Sequence, residues 1–243
     1  MFAIFRKELN VFFSSLIGYI AITIFLVANG LFAWVFPETN ILDDGFATLD
    51  SFFNFAPWIL MFLIPAITMR SFAEEKSAGT IEFITTRPVT DLQIILGKYF
   101  AALVLVVFSI LPTITYYFAV SALASPAGNV DTGGIMGSYI GLIFLAGTFV
   151  SIAMFTSAIT GNQIVAFIAG MFGCFFLYLA FDSLSLIPVF VGGADAYFNA
   201  ISINQHYQSI SKGYIDLRDV VYFLSIMVLF ILMTKTALGS RKW

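Results

Sequence analysis

Acid–base catalysis, metal binding and charge-driven docking all need ionisable side chains in close company. In this sequence they gather in one place. Residues 70–98 hold Arg70, Glu74, Glu75, Lys76, Glu82, Arg87, Asp91 and Lys98, eight of the chain's 25 Asp, Glu, Lys and Arg residues. The residue types limit the chemistry. The segment has neither His nor Cys, and its Gly-Lys pair, Gly97-Lys98, is followed by Tyr99 and lacks the earlier glycine of a phosphate-binding loop. Elsewhere His206 is the sole histidine and Cys174 the sole cysteine, so neither a His cluster nor an intramolecular disulfide can be built. Cys174 reads as a small residue at a helix contact and His206 as a surface or hydrogen-bonding residue. No catalytic residue, cofactor or metal is expected. Two uses remain for Glu74, Glu75 and Glu82: docking a partner, or solvating a loop.

The elements around the segment are apolar. At 60% hydrophobic and 10% charged residues, with a mean hydropathy of +0.97, the chain lies well outside the soluble range, where charged residues make up about a quarter. It reads as an all-α integral membrane protein, with membrane lipid as a partner and no nucleic acid expected. The 29 Phe and eight Met are assigned to packing and lipid contact. The start, "MFAIFRKELNVFF", carries Glu8 and Asn10 and no small-residue cleavage site, so the first helix is expected to be retained.

A helix needs about 20 apolar residues to cross the hydrocarbon. Six stretches qualify, at about 14–36, 52–69, 99–124, 135–159, 164–181 and 220–238, in a single domain covering 1–243. Lys235 is the only charge inside them, near an end where it can snorkel. The distribution of Lys and Arg places the N-terminus in the cytoplasm. The cytoplasmic side then carries nine basic and five acidic residues, and the outer side two basic residues, Lys212 and Arg218, against nine acids. With six spans, both termini are cytoplasmic.

Before the first span, Phe2, Phe5, Leu9, Phe12 and Phe13 lie on one side of a helical wheel and Arg6, Lys7 and Asn10 on another. Two readings stand: an interfacial amphipathic helix, or a plain extension of the first span. The charged segment 70–98 is the long cytoplasmic loop between spans two and three. "RSFAEEK" can prolong the second span, with Gly79 at a left-handed C-cap position. "TIEFITT" can form a short helix stopped by Arg87 and Pro88. Thr90 and Gln93 have capping-box spacing, with Val89 and Ile94 placed as a hydrophobic staple, so a helix should begin at Asp91 and run into span three. The result is a helix-turn-helix elbow with Ile81, Phe83 and Ile84 available to a protein surface.

"EEKSAGTIEFITTRPV" resembles the coupling segment of ABC-2-type permeases, the membrane halves of ABC exporters. The shared pattern is two acids, Gly-Thr, an aliphatic residue, Glu and a later proline, between spans two and three. The resemblance implies that Glu74, Glu75, Gly79, Thr80, Ile81, Glu82, Phe83 and Pro88 form the contact with a separate cytoplasmic ABC ATPase subunit. It also implies a second permease copy or a related permease, since six spans make a half-transporter. "KGYIDLRDVVYFLS" resembles the entry into the last span of such permeases, and its own physics agrees. Asp216 can cap a helix, Asp219 sits at the third position, and Ile215 and Val220 can staple it. With "FAIFRKELNVFFSSLIGYI" and "FLVANGLFAWVF", the chain is most similar to the gliding-motility permeases of Bacteroidetes, the GldF group. That implies the bacterial inner membrane and a membrane-anchored auxiliary subunit with a periplasmic domain. Leu16, and the lack of proline in "SINQHYQSISKG", depart from the relatives.

The outer segment, 182–215, is too long for a turn, and "LSLIPVFVGGA" is too short and broken to span. Re-entrant or interfacial short helices before span six are expected, with Tyr197, Phe198, Tyr207 and Tyr214 in the outer interface belt. Gly137 with Gly141, and Ala166 with Gly170 and Gly173, read as close-packing faces within one bundle. Three functions compete. A permease subunit needs its ATPase elsewhere, which the missing phosphate loop agrees with. An ion-coupled carrier or channel, the alternative, usually places ionisable residues in mid-membrane, and none is found. An intramembrane enzyme would need a Ser-His, paired-Asp or His-Glu set within the spans, also not found.

Overall fold

Apolar runs this long can satisfy their backbone inside a bilayer only as helices. The computed structural model describes residues 1–37, 39–43, 45–80, 89–187, 193 and 195–240, and among them there are helices and turns but no strand. Helix α1 (Phe2–Ser14) meets α2 (Leu16–Trp34) at Ser15, whose extended backbone ends one helix and whose hydroxyl accepts the Gly18 amide to start the next. The chain bends there by 69°, so α1 is a separate helix and not a straight extension of the first span.

Helix α3 (Asp50–Thr68) runs on through Met69 into α4 (Arg70–Ser77). Helix α5 (Asp91–Ile110) breaks at a 3-10 turn carrying Pro112 and resumes as α6 (Ile114–Leu123). Then come α7 (Thr132–Ile159), α8 (Gln163–Ser185), the short α9 (Asp195–Ile201) and α10 (Ile203–Ser211), and α11 (Leu217–Gly239). Among the described residues, five stretches are long and apolar enough to cross a membrane: Asp50–Ser77, Asp91–Leu123, Thr132–Ile159, Gln163–Ser185 and Leu217–Gly239. The bent α1–α2 pair makes six if it counts as one. The 33 residues from Asp91 to Leu123 reach about 50 Å at the usual helical rise, well beyond a hydrocarbon core of about 30 Å. That helix therefore continues past the membrane, as the capping signal at Thr90 leads one to expect.

The bundle is built around α7. Of its most apolar stretch 78% is buried, against 22% for α8 and 17% for α11, which leaves those two helices to face outward. Leu142, Leu145, Phe149 and Val150 are fully buried, and α3, α8, α10 and α11 pack around them. Buried hydroxyls on α7 turn back on their own backbone: Thr148 donates to Phe144 O, Ser151 to Thr148 O and Thr156 to Ala153 O. Cys174 is buried where α8 meets α7, its thiol 3.8 Å from Phe149 O.

One expectation changes on the far side of the bundle. Tyr207 does not sit in an interface belt: it is 1% exposed, and its hydroxyl donates to Phe53 O at 2.9 Å. Burial pushes its phenol above the usual tyrosine range. The reason is the helix spacing of Ile203, Tyr207 and Ile210, which forms one apolar face of α10 and packs on Gly137 and Gly141 of α7. Tyr197 and Tyr214 are exposed. Most of "LSLIPVFVGGA" lies outside the described residues.

Candidate functional site

The charged segment is organised by its two flanking helices. Helix α4 ends in a Schellman motif: the Thr80 amide donates to Glu75 O at 3.0 Å, the Gly79 amide to Lys76 O at 3.2 Å, and Gly79 has φ +66°. On the return, Thr90 Oγ1 accepts the Gln93 amide while Gln93 Oε1 accepts the Thr90 amide, a full capping box ahead of Asp91. Between these ends, Ile81, Glu82, Phe83 and Pro88, together with Ile84 and Arg87, lie outside the described residues.

Helix α4 is tied to α7 by a serine that no local signal marks. Ser157 Oγ accepts the amides of Phe72 at 3.1 Å and Ala73 at 3.2 Å and donates to Met69 O at 3.0 Å. The Met69 side chain offers α4 no cap, so Ser157 takes that place from another helix. Close by, the Lys76 ammonium donates to Ala158 O, at the C-terminal end of α7 where the helix dipole favours a cation.

A second tie joins α4 to α5 and α1. Lys98, on the helix that the Thr90 cap begins, is not a solvated end of the charged segment: it is only 3% exposed. Its Nζ donates to Glu75 Oε1 at 2.7 Å, to Ser71 O at 2.6 Å and to Glu8 Oε1 at 3.2 Å, and it stands 5.2 Å from the centre of the Phe72 ring. Lys7 approaches Glu8 at 3.5 Å and Glu75 at 3.7 Å. Burial of an ammonium is tolerated only when it is paired and hydrogen-bonded, and this one has three acceptors. The signal was present: Lys98 is four residues after Ile94 and four before Ala102, both on the buried face of a helix that the Thr90 cap had already begun.

The predicted docking acids therefore separate. Glu74 forms a two-pronged pair with Arg70 at 2.7 and 2.9 Å and keeps 43% of its side chain exposed. Glu75 turns inward to Lys98, with 13% exposure, which takes it out of the exposed surface. Gly79 and Thr80 are exposed at the tip of α4. A cleft of about 550 Å³ opens beside the network, its charged lining made of Lys7, Arg70 and Lys98 with Glu8, Glu74 and Glu75. Its charges balance. Among the described residues, no group of His, Cys, Asp and Glu could hold a metal ion.

At the entry to α11, Asp216 Oδ1 accepts the Arg218 amide at 2.9 Å. Asp219 instead faces His206: their Oδ1 and Nδ1 are 2.6 Å apart, His206 Nε2 is 3.0 Å from Ala200 O, and the imidazole stacks 3.8 Å from the Tyr222 ring. An aspartate is one methylene shorter than the Glu or Gln of a capping box, and here a partner from α10 is within reach.

The described ends of the charged segment, α4 and the start of α5, are thus tied by named bonds to α7, to each other and to α1. No curated protein shows significant similarity to the chain. The family model described as ABC-2 family transporter protein matches residues 38–240, most of the chain and all of the segment just described. The chain therefore belongs to the ABC-2 transporter family, as one of its multi-pass membrane components.

Proposed function

We propose that this chain is the permease subunit of an ABC-2 exporter, and that residues 70–98 receive a separate cytoplasmic ABC ATPase. The observation that carries the reading is the double anchoring of α4, by Ser157 and Lys76 to α7 and by Lys98 to α5. A loop that merely joins two spans needs only a few residues and no such ties. A surface that receives an ATP-driven push needs rigid elements behind it, and α5 continues the segment directly into the bundle. Glu74, Gly79 and Thr80, with Ile81, Glu82, Phe83 and Pro88 beyond them, form the docking surface.

The permease has six spans, α1 lies along the cytoplasmic leaflet, and both termini are cytoplasmic in a bacterial inner membrane. It pairs with a second copy or a related permease, in a gliding-motility-type complex that includes a membrane-anchored subunit with a periplasmic domain. The complex exports a substrate or transmits motion across the membrane. The resemblance of "FAIFRKELNVFFSSLIGYI" and "FLVANGLFAWVF" to the gliding-motility permeases, and the basic bias of residues 1–13 and 70–98, are what support this reading.

The test is affinity purification of the full chain from its native membrane. A phosphate-loop ATPase should be retained, and Glu74→Lys with Glu82→Lys should reduce its retention. Glu75 is left unchanged because its inward pairing would confound the result. A complex without a nucleotide-binding subunit, or one in which the double reversal leaves retention intact, overturns the docking claim.

A further inference from the structure

Helix α1 has no buried residue; it packs along α5 and meets α2 at the 69° bend at Ser15. Its apolar seat on α5 is Gly97, where an added Cβ would lie 3.1 Å from the Ile4 side chain, and Phe13, whose ring meets Phe108 edge-on at 5.5 Å. The specific bond is Glu8 to Lys98. One ammonium, rooted in α5, thus holds Glu8 of α1 together with Glu75 and Ser71 of α4.

Lys98 is too deeply buried to exchange these partners for water during a movement. Separating any one helix would leave a carboxylate or the ammonium buried and unpaired, which is costly. The network also has spare capacity: Glu75 Oε2 is buried with no hydrogen-bond partner among the described residues, and Lys7 waits 3.7 Å from Oε1 of the same carboxylate. The three helices can therefore adjust against each other while the charges stay paired.

We propose that Lys98 is a positioning residue that couples α1 to the charged segment, so that displacement of α4 by the ATPase is carried into α1 and, through the Ser15 bend, into α2. This rests on the proposed role of residues 70–98. Without the joint, a push on α4 would reach α1 only through its apolar seat on α5.

Hydrogen exchange of the purified permease–ATPase complex, with and without ATP, tests it. In the wild-type complex ATP should alter exchange both in residues 2–14 and in residues 91–97. In Glu8→Gln the response of residues 2–14 should fall at least about twofold while that of residues 91–97 persists. Lys98→Met should do the same, and Lys98→Arg should restore the response. Should Lys98→Met fail to assemble, Glu8→Gln carries the test alone, since it leaves the Lys98–Glu75 pair in place. An unchanged response of residues 2–14 in Glu8→Gln overturns the joint and leaves the docking reading standing. No ATP response at residues 91–97 in the wild-type complex overturns the docking reading itself.

Discussion

The ammonium of Lys98 and the carboxylate of Glu75 meet at 2.7 Å, 23 residues apart in sequence, with 3% and 13% of their side chains exposed. Removing one partner of such a pair leaves the other charge buried. Lys98→Met should destabilise the protein by about 3 kcal/mol, more than Lys98→Met combined with Glu75→Gln. Chemical unfolding in detergent, compared across the single and double variants, measures the difference.

Ser157→Ala should strip two amides of α4 of their acceptor and cost about 1–3 kcal/mol. The specific readout is hydrogen exchange at Phe72 and Ala73, which should quicken while the centre of α7 stays protected. Equal exchange in both proteins would show that Ser157 does not cap α4.

A Cβ at Gly137 would lie 2.7 Å from the backbone oxygen of Ile210 and 2.9 Å from Gly213 Cα. Backbone atoms cannot step aside, so Gly137→Ala should displace α10 and cost about 1–3 kcal/mol. A solvent-facing alanine substitution such as Ser240→Ala should have little effect in the same thermal assay.

Thr90→Ala removes one half of the capping box and should cost about 1 kcal/mol, with Thr90→Ser nearly neutral. The loss should appear as faster exchange in the first turn of α5. No change there would mean that helix packing alone sets its start.

On the far side, His206→Phe should leave the Asp219 carboxylate, buried in α11, without its close partner at 2.6 Å. It should destabilise the protein more than the pair His206→Phe and Asp219→Leu, which removes the orphaned charge as well. The comparison again rests on unfolding midpoints. A double variant weaker than the single one would show that Asp219 is satisfied elsewhere.

Much of the architecture was legible because its causes are local. Five apolar stretches needed only length and composition to be recognised, and Gly79, Thr90, Gln93 and Asp216 mark helix ends through bonds to residues within a few positions. The 69° bend at Ser15 was only half legible, since the same residues could have formed one straight helix. Tyr207 misled because an aromatic residue near a membrane boundary suits an interface as well as a core. Its partner, Phe53, is 154 residues away.

The sequence by itself determined that the chain lies in a membrane, which stretches can cross it and where the charge collects, because hydrophobicity, turn chemistry and capping act over a few residues. Only the tertiary structure decided which of those charges are surface and which are joints. Glu74 and Glu75 are neighbours in sequence and alike in chemistry, yet one pairs with Arg70 at the surface and the other is drawn inward by Lys98. Ser157 gains its role from amides 84 and 85 residues away. A buried charge or an uncapped helix end takes whatever partner the packing of distant helices supplies, and local pattern carries no record of that choice.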